Sequence, residues 1–354
     1  MTEEYILKEI KRIEEKINSY YDDKKIVIIE NGEPKNFIAK NVNPDKKYDH
    51  PYIKVILNDS EEINACAYKN MNQYYIEMNR GVFIGLKSYI HTIVGKKVFE
   101  KVKEVGKVNP KRIENIILEN CYTYLCFHEF FHITNGHCDL VEKLQLEKLY
   151  EVSNKIGKTP NLIKQTLEYD ADCCAIVSMV NEELRITEMI KQQFSENHYL
   201  RTSVDSLVQV MSGILIAIFI LHSLFHDIFQ QYTGCSWEES VKYVKELDHP
   251  LPGMRVLYMM LSMLGTVDQS NLYSKEELLE ISDRVFSALK SFAEEYKDLI
   301  KHDYLKVMIT NEGIDHMQNV HDNWEKVMDE IPISYAKLSP FSKCNYKGIL
   351  KGEW

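Results

Sequence analysis

A helix that must be buried on almost every side, yet carries two histidines and a glutamate, constrains this chain more than any other stretch. From Arg112 onward, Ile113, Ile116, Ile117, Leu118, Cys121, Tyr124, Leu125, Phe127, Phe130, Phe131 and Ile133 are apolar around most of a helical circumference. Within that run stand His128, Glu129 and His132, in the pattern H-E-x-x-H. Residues four apart lie one turn above each other, so the two imidazoles can face one cation. Burying all three groups is costly without a partner, and a metal ion with its water suits the spacing. The expected chemistry is that of a catalytic zinc (Zn2+): two neutral imidazoles ligate, and Glu129 takes a proton from water that the ion acidifies. The rival reading is a pair of histidines satisfied within an ordinary core.

A zinc site needs a third protein ligand, and the helix after Pro160 offers one in Glu168-Tyr169-Asp170-Ala171-Asp172-Cys173-Cys174-Ala175. Glu168 and Asp172 share a face, with Ala171 and Ala175 small enough for another helix to come close. Glu168 is therefore the candidate ligand, and Asp172 the carboxylate that bonds a ligand imidazole and fixes its tautomer. Asp170 falls off that face and reads as a solvated carboxylate. His137 follows Gly136, a residue suited to ending a helix, and is expected to satisfy backbone or dipole interactions rather than bind metal.

The 354 residues, 45% of them hydrophobic, suffice for a large core. No linker divides them, so one domain over 1–354 is expected. A net charge of -10 argues against nucleic acid as a partner. Eight cysteines without a paired framework read as reduced thiols, hence a cytoplasmic protein. Residues 1–24 form an amphipathic helix with Ile6, Ile10, Ile13 and Ile17 on one face, unlike a signal peptide. Residues 25–81 carry β-rich runs at Ile26 to Ile29, Tyr52 to Leu57, Ile63 to Tyr68 and Tyr74 to Met78, expected as a small, mostly antiparallel sheet. A helical catalytic body spans 82–331, including helices over Val82 to Glu104 and Leu140 to Ile156, and an irregular tail covers 332–354. The fold class is α+β, mainly α, with the sheet beside the metal-binding helix.

The order H-E-x-x-H then E-x-x-x-D resembles the gluzincin metallopeptidases. E-x-D-A-D in particular is similar to the E-x-E-A-D of the group with the CAAX prenyl endopeptidase and HtpX. Upstream, Asn64-Ala65-Cys66-Ala67 with Tyr75 to Gly81 resembles the paired strands that this family sets beside its zinc helix, and His249-Pro250-Leu251-Pro252-Gly253-Met254-Arg255 fits its H-P-x-x-x-x-R. The resemblance implies that His128, His132 and Glu168 bind zinc, Glu129 is the general base, and Asp172 stands behind a ligand histidine. It also implies that the strand Asn64, Ala65, Cys66, Ala67 is the edge along which a peptide or protein substrate extends. His249 and Arg255 would lie near the substrate carbonyl or brace the Asp172 side. The longer metzincin pattern is not met, because Asn135 and Cys138 stand where it needs Gly and His.

Residues 207–225 are long and apolar enough to cross a bilayer. Gln209, Ser212, His222 and Ser223 interrupt them, and Asp205 and Asp227 flank them, so a central buried helix is the preferred reading and a span the lesser one. In size and character the chain also looks like the soluble phage-exclusion Lit family of metalloproteases. Zinc-dependent peptide hydrolysis is thus the expected activity, with two alternatives left open: a non-catalytic zinc-binding interaction or sensor protein, and a membrane-embedded protease.

Overall fold

The computed structural model describes residues 8, 11–12, 26–30, 53–71, 73–102, 109–146, 149–150, 161–193, 196–300, 303–306 and 310–331. The tail expected at 332–354 and nearly all of the helix expected at 1–24 lie outside them. Five strands form one sheet, β1 (Ile26–Glu30), β2 (Ile53–Asn58), β3 (Ala65–Asn70), β4 (Gln73–Asn79) and β5 (Leu149–Tyr150), in the order β1-β2-β4-β3-β5. Strands β1, β2 and β4 run parallel, and only β3 pairs antiparallel with its neighbours. The expected mostly antiparallel sheet is therefore mixed. Its order is not the sequence order, because β4 inserts between β2 and β3, and alternation along single strands carries no information about that choice.

Alternation does fix which face is buried. Tyr74, Ile76 and Met78 of β4 point into the core, in register with Ile53 and Val55 of β2 and with Ala65 and Ala67 of β3. Strand β4 runs straight into α1 (Arg80–Gly95) at Gly81. A Cβ there would sit 2.1 Å from the Glu61 carbonyl oxygen, so only glycine permits the junction. The helix expected over Val82 to Glu104 stops at Gly95.

The metal-motif helix is α2 (Pro110–Thr134). Pro110 occupies its first turn and Asn109 caps it by accepting from the Lys111 amide. Every residue from Cys121 to Thr134 is buried, as the apolar circumference requires. Gly136, with φ of 79°, turns the chain sharply into α3 (His137–Lys143). The long helix expected from Leu140 to Ile156 does not form; α3 ends at Lys143 and residues 149–150 add to the sheet. Next come α4 (Leu162–Gln193), α5 (Glu196–Thr233), α6 (Trp237–Lys242), α7 (Pro252–Gln269), α8 (Lys275–Ile300) and α9 (Asn311–Glu330).

Helix α2 is enclosed by α1, α4, α5 and β3, and α4 is covered in turn by α7 and α9. On α5, every residue from Met211 to His226 is buried against α2, α7 and α8. This helix is long and apolar enough to cross a membrane by length and composition, and the protein itself covers it. One hydrophobic core joins the sheet to α1, α2, α4, α5, α7 and α8, and a small cluster of Leu140, Val141, Leu167 and Val327 sits where α3, α4 and α9 meet. Seven described cysteines are buried. The fold is α+β and mainly helical.

Candidate metal centre

Helices α2 and α4 cross so that residues far apart in sequence share one buried space. His128, His132 and Glu168 each offer a ligand atom within 4.8 Å of the others, and together they can hold a metal ion. The two Nε2 atoms are 2.9 Å apart. Glu168 Oε2 lies 3.2 Å from His128 Nε2, and Oε1 lies 3.4 Å from His132 Nε2. All three side chains are almost wholly withdrawn from solvent. Burial, helped by the neighbouring His128 and His137 and opposed by Glu168, drives the His132 imidazole down to about 3, so it keeps a lone pair that could serve a metal.

The carboxylates are held ionised against the same burial. Burial would raise the Glu168 carboxyl, but His249 and His132 outweigh it and keep it well below the usual range. For Asp172, burial again works upward, while Arg255 and His128 overcome it and hold the group below its ordinary value. The geometry shows how. Arg255 donates from Nε to Asp172 Oδ2 at 2.8 Å and from Nη2 to Oδ1 at 2.7 Å, and Nη2 is also 3.4 Å from Glu168 Oε2. His128 Nδ1 stands 2.8 Å from Asp172 Oδ1, which is where the sequence places a carboxylate behind a ligand imidazole. Arg255 therefore sits on the Asp172 side of the group.

His249 spans two groups. Its Nδ1 lies 3.0 Å from Glu168 Oε2, and its Nε2 meets the backbone carbonyl of Tyr150 on β5. Both neighbours are acceptors, so whichever ring nitrogen carries a proton faces a group that can receive it. Strand β5 also pairs with Cys66 and Ala67, which occupies part of the outer side of β3. Asn64, Ala65 and Cys66 line a cavity of about 150 Å³ with Asn58, Glu77 and Tyr150. Glu129 is 1% exposed and follows His128 in the chain.

Two expectations need correction. Asp170 is no solvated carboxylate: it is 1% exposed and receives Asn135 Nδ2 on Oδ2 and Trp324 Nε1 on Oδ1, each at 2.5 Å. His137 does not serve the helix end; its Nδ1 faces His132 Nδ1 at 3.0 Å and its Nε2 faces Asp170 Oδ2 at 3.1 Å. Helices α3 and α9 cover the face of α4 that a single-helix reading leaves to solvent.

Sequence reasoning also missed Tyr124, which donates to Asp172 Oδ1 and lies 2.9 Å from His222 Nε2. A signal existed for both. Tyr124 is one turn before His128 on the same face, and His222 is a polar break in an apolar run. Comparisons with models of known protein families, with curated proteins and with solved structures find no match.

Proposed function

We propose that this protein is a zinc-dependent metalloendopeptidase of gluzincin type, acting on peptide bonds of a protein substrate. One observation carries the reading: a buried group of two imidazoles and one carboxylate, with Glu129 beside it. Tetrahedral zinc with bonds of about 2.0–2.1 Å needs its donors roughly 3.3 Å apart. The two Nε2 atoms stand 2.9 Å apart, and each lies 3.2 or 3.4 Å from a different oxygen of Glu168, which brings the donors near that spacing. Three protein ligands also match the catalytic pattern, in which the fourth position stays open, better than the structural one. When bound, zinc supplies polarisation of a carbonyl oxygen and acidification of a water near neutral pH.

The protein's own groups supply the rest. Glu129 accepts the proton of the attacking water and hands it to the leaving amine. Asp172 holds the proton on His128 Nδ1, leaving Nε2 free to ligate, and Arg255 keeps that carboxylate charged. His249 stabilises the developing oxyanion. Support for that role comes from β5, where an extended segment antiparallel to β3 already presents a carbonyl to His249 Nε2. A substrate strand on the same edge takes the place of β5 and brings its scissile carbonyl to the same imidazole.

The same pairing favours one alternative, a non-catalytic zinc-binding interaction or sensor protein, because the strand edge is partly filled by the chain itself. The two readings separate on one experiment. Zinc-loaded protein is incubated with a proteome-derived peptide library and new termini are read by mass spectrometry, with Glu129→Gln as control. Chelator-sensitive cleavage that the variant lacks supports the peptidase. Tight zinc binding without any Glu129-dependent cleavage supports the alternative.

A further inference from the structure

We propose that His137 and Asp170 are positioning residues for the ligand His132, forming a two-step relay that fixes which of its nitrogens carries the proton. This rests on the metal reading above. For Nε2 of His132 to ligate, the ring proton must sit on Nδ1. That nitrogen faces His137 Nδ1 at 3.0 Å, so His137 must accept there and carry its own proton on Nε2. Nε2 in turn faces Asp170 Oδ2 at 3.1 Å, an atom that can only accept. The opposite arrangement puts a lone pair of His137 against the carboxylate and a proton on His132 Nε2, where the ion belongs. With an ion held by both Nε2 atoms, one arrangement of neutral rings satisfies the contacts of His132 and His137.

The surroundings lock it. Asn135 and Trp324 both donate to Asp170, which leaves the carboxylate fully engaged and aimed at His137. Gly136, at φ of 79°, makes the corner that returns His137 to the end of α2. His128 achieves the same end in one step through Asp172. One short stretch of α4 thus supplies a ligand, Glu168, and the carboxylates that orient both ligand imidazoles.

The test is zinc affinity, measured on the full chain by competition with a chromophoric chelator, with ¹⁵N NMR of the zinc-loaded protein to read the proton on His132 Nδ1. His137→Leu is expected to weaken zinc binding roughly ten- to hundredfold and to leave that proton without its acceptor. His137→Asn, whose amide oxygen can accept from His132 Nδ1, is expected to restore most of the affinity. Asp170→Asn, which places an amide group among donors, is expected to lose about tenfold. Should His137→Leu fail to fold, the other two variants decide. Affinities for Asp170→Asn and His137→Leu indistinguishable from wild type overturn the proposal, as does a loss that His137→Asn does not repair. Wild-type protein that binds no zinc overturns the metal reading itself, and the relay with it.

Discussion

Replacing Arg255 by Met removes the one guanidinium shared by two buried carboxylates while keeping much of its volume. Arg255 makes two short bonds to Asp172 and reaches Glu168 at 3.4 Å, and it is 2% exposed. Breaking a buried pair from one side leaves an uncompensated charge and costs about 3–5 kcal/mol. At about 2.1 cal/mol/K per residue, unfolding a chain this long carries an entropy near 0.7 kcal/mol/K, so the midpoint falls by roughly 5 °C. Calorimetry and urea unfolding of the zinc-free protein near neutral pH measure this directly. Arg255→Lys keeps the charge without the two-pronged geometry and falls between. The pH dependence follows from the depressed Asp172 carboxyl. Its contribution is complete above the unfolded value of about 3.9 and drains away as pH falls below it, so the gap between wild type and Arg255→Met narrows in acid. A loss under about 1 kcal/mol at neutral pH would falsify the claim that this guanidinium keeps Asp172 ionised.

Glu129→Gln is expected to retain bound zinc while turnover falls by at least about 10²-fold, read by metal analysis beside peptide cleavage; equal turnover assigns the base elsewhere. Alanine at His128, His132 or Glu168 is expected to abolish stoichiometric zinc, and full metal content in any of them removes that residue from the ligand set. His316 donates from Nε2 to Gln165 Oε1, and burial and Lys245 lower its imidazole to about 4. The unfolded ring protonates near 6.5, so stability is lost as pH falls from there towards 4, by about 3 kcal/mol in all. His316→Gln removes that share, and urea midpoints that drop equally in both proteins between neutrality and pH 4 contradict it. Because α5 is covered by its neighbours, the protein is expected to stay in the supernatant after a salt wash of membranes; retention in the pellet refutes this.

The buried group that could hold a metal was legible because helix periodicity alone places His128 over His132 and Glu168 over Asp172. That those two strips meet was an inference from chemistry, since polar groups in an apolar setting need partners and a shared ion is one that suits their spacing. Asp170 was misjudged for the complementary reason. Periodicity describes one helix, and nothing in it announces that Trp324, from α9, and His137, past a sharp glycine corner, cover the remaining face. The β5 pairing escaped because residues 140–156 keep a helical rhythm through a stretch where tertiary pairing decides. The parallel order of β2 and β4 escaped too, because strand pattern reports burial and not neighbours.

Glu168, Asp170 and Asp172 span little more than one helical turn, so they form a template that cannot be adjusted piecemeal. Inserting or deleting one residue inside it swings everything beyond by about 100°, and ligand and orienters part company together. An ion seated on that template also staples the start of α4 to the end of α2. Stripping the metal would then loosen the joint between these two helices before it touched the sheet, and hydrogen exchange would show the loss of protection first at their crossing.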